Sequence, residues 1–299
     1  MTMENKKITV AQLATHESGG MCYAIHLSDG TFIVIDGGEA DSDGTMSYVE
    51  NSMALKEHLR ALSGEEKPVI SAWFITHFHL DHVDMATRFI REEQDNFTVK
   101  LFAYNSAGSY ESCDESRRLA LWEEAISLYP EAEKRILKTG EVYEFAGASL
   151  KVLMAEDFKH HDHTPSQNTI SAAFMIKFDS GRKFAVLGDC DTKRLGQMLN
   201  PESTVYQTAE ELKCDILQVP HHGLPLGSKE FIDKNVELYK IMEPEICFFP
   251  VNEERYITDK KFFDNPFYAD NYYLLTTRGE RCYHNSKTVT VDIEDLTVI

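Results

Sequence analysis

The chain of 299 residues is 42% hydrophobic, 26% charged and 11% aromatic, with 9 Pro and 16 Gly, which excludes collagen-like and largely disordered classes. At this length about 75% of the unfolded surface can be buried, so a large core needs no covalent staples. Thirty Lys and Arg against 49 Asp and Glu leave a formal charge of −19 with His neutral. A surface that negative repels nucleic-acid backbones and anionic lipid heads, so a small-molecule substrate is the expected partner. The six cysteines include no C-x-x-C pair, and several, such as Cys247 in an apolar run, read as buried thiols. The first residues carry no apolar segment and no stretch approaches 18 apolar residues, so a cytoplasmic protein with neither signal peptide nor membrane span is expected.

Three strands are expected first, at Ile8 to Ala14, Cys22 to Leu27 and Thr31 to Ile35, with the hairpin signal Asp29-Gly30 between the last two. A helix follows, with Met53, Leu55, Leu59 and Leu62 on one face and Gly64 and Pro68 stopping it. Val69 to Ile75 reads as a strand buried on both faces and runs directly into His77. Phe97 to Tyr104 is a strand by alternation. Ser116 to Tyr129 is an amphipathic helix carrying Leu119, Trp122, Ile126 and Tyr129. After Gly140 the order repeats: strands near Glu141 to Phe145 and Ser149 to Met154, a His-rich loop, then strands Thr169 to Phe178 and Lys183 to Leu187. A helix at Thr192 to Leu199, strand Asp215 to Val219, helix Lys229 to Met242, strand Ile246 to Phe249 and a strand-like tail from Thr288 to Ile293 complete the chain. Strands and helices in this order, twice over, predict an α/β protein of two sheets packed together under outer helices, an αββα sandwich. No linker divides it, so residues 1–299 form one domain with a C-terminal extension at about 252–299.

The chemistry concentrates at strand ends. His77-Phe78-His79-Leu80-Asp81-His82 follows the buried strand that ends at Thr76. Three imidazoles and a carboxylate where a strand stops and a helix begins can converge on a small volume, and that ligand mixture suits zinc, iron or manganese. His77 and His79 project alike because alternate residues of extended chain share a side. Asp81 and His82 turn into the next element and can face a second ion. Phe184-Ala185-Val186-Leu187 leads into Gly188-Asp189, and Ile216-Leu217-Gln218-Val219 into Pro220-His221-His222-Gly223. Asp191 is better placed than Asp189 to cap the following helix, which leaves Asp189 available. Asp36 ends its strand before two glycines and serves either an ordinary turn or the support of a metal-bound histidine. Phe262 to Leu275 is rich in aromatics, which either pack the C-terminal extension or wall a pocket.

The H-x-H-x-D-H run, the early strand-ending Asp36, Gly188-Asp189 and the histidines after the next strand together resemble the metallo-β-lactamase superfamily, in motif order from about Ile8 to Val251. Val219-Pro220-His221-His222-Gly223, with Asn168 and Ser171 upstream, is similar to the branch holding the soluble domain of competence-type DNA-uptake proteins and the phosphorylcholine esterases. The resemblance implies a four-layer αββα sandwich with two divalent ions, Zn with Fe or Mn as alternatives, at the sheet edge. It assigns His77 and His79 to the first ion, Asp81 and His82 to the second, Asp189 as the bridge, His221 as the completing ligand and Asp36 as the supporting carboxylate. The family's third histidine for the first ion has three candidates in His160-His161-Asp162-His163-Thr164-Pro165, of which His163, preceding Thr-Pro, is favoured over His161. His222 either replaces His221 or contacts substrate.

These assignments predict a dinuclear metal-dependent hydrolase in which a metal-bound hydroxide attacks a phosphodiester or other phosphorylated small molecule, with Asp81 and His222 as catalytic groups. A metal-dependent nuclease is the near alternative, against which the charge argues. A redox module of diiron type and a non-catalytic metal-binding protein are alternatives from other classes.

Overall fold

The structure is a computed structural model and describes residues 6–15, 20–40, 46–105, 114–155, 167–223, 229–258 and 269–299. The first half contains β1 (Thr9–Gln12), β2 (Cys22–His26), β3 (Phe32–Asp36), α1 (Met46–Ser63), β4 (Val69–Ile75), α2 (Leu80–Glu92), β5 (Thr98–Val99), β6 (Leu101–Tyr104), α3 (Asp114–Ser127) and β7 (Glu133–Ile136). The second half contains β8 (Val142–Phe145), β9 (Ala148–Met154), α4 (Gln167–Ile170), β10 (Ala173–Phe178), β11 (Lys183–Val186), α5 (Thr192–Met198), α6 (Ala209–Leu212) and β12 (Ile216–Gln218). A 3-10 turn (Pro220–Gly223), α7 (Lys229–Met242), β13 (Ile246–Phe249), α8 (Glu253–Thr258), α9 (Ala269–Arg278), β14 (Cys282–His284) and β15 (Val289–Asp292) complete it.

These strands form two sheets, ordered β15-β1-β2-β3-β4-β6-β7 with β5 added beside β4, and β14-β13-β12-β11-β10-β9-β8. Their inner faces meet in one core, where Ile25, Ile33 and Phe74 of the first sheet join Leu150, Phe174, Phe184 and Phe248 of the second. On the outer face of the first sheet, Val34, Trp73 and Phe102 are covered by Leu55 and Leu59 of α1, Val83 and Phe89 of α2 and Trp122 of α3. On the outer face of the second, Ala185, Leu217 and Cys247 lie beneath Leu195 and Met198 of α5, Leu238 and Met242 of α7 and Leu274 of α9. Helices, sheet, sheet and helices stack in that order, which is the expected αββα sandwich. None of the described helices is long and apolar enough to cross a membrane.

Two local features depart from the sequence reading, and a third shows where the C-terminal residues lie. In β4 the register against β3 jumps from Phe32 opposite Ile70 to Ile33 opposite Ala72. The extra residue is a bulge at Ser71, so Ile70 joins the outer core while Ala72 and Phe74 face inward. In α1 the buried face runs through Tyr48, Leu55 and Leu59, and Met53 is 49% exposed. The residues expected as a C-terminal extension place β14 beside β13 and β15 beside β1, one edge strand on each sheet.

Candidate metal centre

The central parallel strands, β3 with β4 in the first sheet and β11 with β12 and β13 in the second, all end toward one edge of the sandwich. Ligand sites in layered folds form where such loops emerge. The turn after β4 is tied across the sandwich by Ala172 N–H, which donates to the Thr76 carbonyl at 3.0 Å. The turn after β12 is tied to Gly188 by His221 N–H at 3.0 Å.

Six side chains converge there. Donor atoms of Asp81, His82, Asp189 and His222 lie within 4.8 Å of one another, as do those of His77, His79 and Asp189, so Asp189 belongs to both groups. Asp189 Oδ1 is 3.2 Å from His82 Nε2, and its Oδ2 is 3.5 Å from His222 Nε2 and 3.7 Å from His77 Nε2. Asp81 Oδ2 is 2.9 Å from His222 Nε2. His77, His82 and Asp189 are buried, whereas the Asp81 side chain is 25% exposed and His79 is half-buried. With His222, also buried, these make a floor, and His79 and Asp81 a more exposed rim. His77, His82 and His222 present Nε2, and Asp189 presents Oδ1, without an aligned hydrogen bond. Buried polar atoms are ordinarily satisfied, so four such atoms aimed at one another fit the nitrogen and oxygen donor set of a pair of divalent cations.

The surrounding chain holds these side chains in place. Asp36 is fully buried; its Oδ1 accepts from Thr76 N–H at 2.7 Å, and its Oδ2 from Thr76 Oγ1 and His82 Nδ1, both at 2.7 Å. Thr76 Oγ1 also lies 3.0 Å from His77 Nδ1. His222 Nδ1 donates to the Pro250 carbonyl at 2.6 Å, which directs Nε2 inward. Gln218, fully buried on β12, braces two loops: Oε1 accepts from Leu187 and Gly188 N–H, both at 2.7 Å, and Nε2 donates to the carbonyls of Gly188 at 3.1 Å and Val219 at 2.6 Å. Gly188 has φ +55, and a Cβ there would sit 2.3 Å from Ser171 Oγ, the atom that accepts from Asp189 N–H at 3.0 Å. Only glycine permits that approach. Asp191 caps α5 by accepting from Arg194 N–H, as expected, and leaves Asp189 to the cluster.

One placement differs from the sequence reading, and one lies beyond what the structure describes. His222, not His221, enters the cluster; the two rings are 5.9 Å apart and His221 belongs to neither donor group among the described residues. Both residues have positive φ, +48 and +57, so the chain coils left-handed through the pair and the alternation of extended strand no longer says which side chain points inward. His163, with its rivals His160 and His161, lies outside the described residues. Thr76, Gln218 and the Pro250 carbonyl were not anticipated; adjacency to H-x-H-x-D-H was the one signal that could have found Thr76, and nothing in the sequence marks the other two.

Charge in the cluster is tightly coupled. Burial alone would hold the His82 imidazole neutral, but Asp189, Asp36 and Asp81 outweigh it and push its pKa well above the usual histidine value. Burial likewise opposes charging of His222, and Asp189 and Asp81 push it up to about 10. Burial and the neighbouring His82 push His77 well down. Burial works against ionisation of Asp81 and Asp189, yet their histidine neighbours hold both below the usual carboxylate range. In metal-free protein the two protonated imidazoles therefore stand in for cations. Because the folded pKa of His222 lies above its unfolded value near 6.5, its stabilisation is complete below about pH 6.5 and is lost as pH rises through about 10. Chelated protein is expected to lose thermal stability between pH 7 and 10 while metal-loaded protein does not; parallel melting curves with the two forms check it, and identical profiles would count against the assignment.

A family model described as "Beta-lactamase superfamily domain" matches residues 33–211, which is more than half of the chain. No curated protein sequence matches significantly. Among solved structures, CmlA, a diiron beta-hydroxylase from Streptomyces venezuelae, is similar at TM-score 0.55 and 11% identity over 96% of this chain and 54% of that one, so the chain spans about half of CmlA's length. Unliganded yeast PDE1 is similar at TM-score 0.51 and 13% identity, over 93% of this chain and 97% of that one. At such identities the likeness concerns the fold alone. The match spans Asp36, the H-x-H-x-D-H run and Asp189, all drawn to one edge of the sandwich, and the chain belongs to the beta-lactamase superfamily.

Proposed function

We propose that the chain is a dinuclear metal-dependent hydrolase acting on a phosphodiester or other phosphorylated small molecule. The observation that carries this reading is the sharing of Asp189 between two donor groups: His77 and His79 would hold one divalent ion, Asp81, His82 and His222 the other, and Asp189 would bridge them. When bound, such a pair of ions acidifies a water molecule and stabilises charge on the attacking and leaving oxygens. The chain's own contribution is positional. Asp36 and the Pro250 carbonyl hold His82 and His222 with Nε2 inward. Asp81, on the more exposed rim and 2.9 Å from His222 Nε2, is placed to accept a hydrogen bond from a nucleophile delivered there and so orient it. Zinc, with iron or manganese as alternatives, suits this imidazole and carboxylate set. The preference for phosphorylated substrates rests on the Pro-His-His-Gly resemblance.

The test is metal analysis of protein loaded in turn with zinc, manganese and iron, followed by assay on bis(p-nitrophenyl) phosphate and p-nitrophenyl phosphorylcholine. Turnover that requires two ions per chain supports the reading. A fully loaded protein that cleaves neither compound but shows an iron-dependent optical band would assign the site to redox chemistry instead. The histidine pair gives a second check. His222→Ala is expected to lower affinity for one of the two ions by more than roughly 100-fold, exceeding the effect of a supporting residue, while His221→Ala keeps both ions; the opposite ranking by calorimetry would reverse the assignment.

A further inference from the structure

At the far edge of the second sheet, β14 pairs in parallel with β13 and sets Cys282 directly opposite Cys247. Both side chains lie on the face that packs against α7 and α9. Cys247 is fully buried and Cys282 partly exposed. Cys282 Sγ lies 3.6 Å from the Arg278 carbonyl at the end of α9. Neighbouring strands run about 4.7–4.9 Å apart, inside the separation of about 4.4–6.8 Å between Cα atoms that a disulfide spans. The remaining described cysteines, Cys22, Cys190 and Cys214, are buried and their thiols are pushed up by that burial. Cys282 is shifted the other way, chiefly by the neighbouring Cys247 thiol.

We propose that Cys247 and Cys282 are a reversible disulfide site, closed by exchange with a low-molecular-weight disulfide such as oxidised glutathione. The accessible Cys282 thiolate attacks one sulfur of the small disulfide, forming a mixed disulfide and releasing one thiolate, which takes up a proton. Cys247 then attacks the Cys282 sulfur and expels the second small thiol, the Cys247 proton passing to the departing thiolate. One small disulfide is reduced to two thiols, and the two cysteines are oxidised by the same two electrons. The bond staples the edge strand β14 to β13, three residues before Pro250, the residue whose carbonyl holds His222.

The full chain is incubated with oxidised glutathione, remaining thiols are alkylated, and the peptides are mapped by mass spectrometry. The expected result is a loss of about 2 Da with a Cys247–Cys282 cross-link reversed by dithiothreitol, and a melting temperature higher by roughly 5 °C. Cys282→Ser should remove both effects without changing metal content. A glutathione adduct that stays on Cys282, alkylation of both cysteines without a cross-link, or pairing of Cys282 with another cysteine would overturn the proposal. None of these outcomes depends on whether the metal site is catalytic.

Discussion

Asp189→Ala is expected to fold, to bind at most one divalent ion tightly, and to hydrolyse substrate more than roughly 100-fold more slowly than the parent, beyond the 10–100-fold that loss of a supporting residue costs. The carboxylate is the one group present in both donor sets, so no other single side-chain truncation among the described residues would touch both proposed ions. The backbone at this position does not depend on it: Gly188 supplies the left-handed turn, Ser171 Oγ receives Asp189 N–H, and Gln218 braces the preceding residues. Without ions, the substitution removes the anion that holds His82 and His222 protonated, so both pKa values should fall toward the ordinary range. Proton titration of the chelated variant by NMR reads this directly, and it separates loss of a ligand from misfolding. Two tightly bound ions together with parental turnover in the variant would remove the basis for a bridging role.

Much of this site could be read from the sequence because the ligands sit where local signals are strongest. H-x-H-x-D-H follows a continuous apolar strand, and Gly188-Asp189 and Pro220-His221-His222-Gly223 follow two more, so the convergence of strand ends needed only the layered fold to become a prediction. What stayed hidden depends on contacts between distant segments or on backbone geometry. β7 went unread because all four of its residues are exposed, which leaves no alternation between faces. The order of His221 and His222 was illegible because two successive left-handed residues break the period that assigns faces. Gln218 looks like one more strand residue until its four hydrogen bonds to two different loops are seen. β14 is three half-buried residues with a partner 35 positions away, beyond the reach of any short-range pattern.

Asp36 offers the sharpest separation of architecture from chemistry. Its Oδ2 accepts Nδ1–H of His82, which leaves Nε2 facing Asp189, a proton donor in metal-free protein and the atom that would offer its lone pair to a bound ion. The same carboxylate accepts Thr76 O–H, leaving the Thr76 oxygen to accept Nδ1–H from His77, so one buried group sets two imidazoles. Asp36→Ala strips a partner from three buried donors and puts a Cβ-bearing residue without a polar side chain at φ +55. A stability loss of about 3–5 kcal/mol is expected, as for breaking a buried charged network, together with weakened metal binding. Asp36→Asn keeps the shape, tolerates the left-handed backbone and still accepts from Thr76 N–H through Oδ1, so its stability loss should be about 1–2 kcal/mol. Its Nδ2 donors, however, now face His82 Nδ1, which must become an acceptor and move its proton to Nε2, where a ligand lone pair is required. The Asn variant is therefore expected to lose 10–100-fold in affinity for the ion at His82 while melting cooperatively near the parent. Calorimetric titration of metal into both variants, beside denaturant unfolding, distinguishes the two roles: parental affinity in the Asn variant would show that Asp36 braces the turn between β4 and α2 without setting the histidine tautomer.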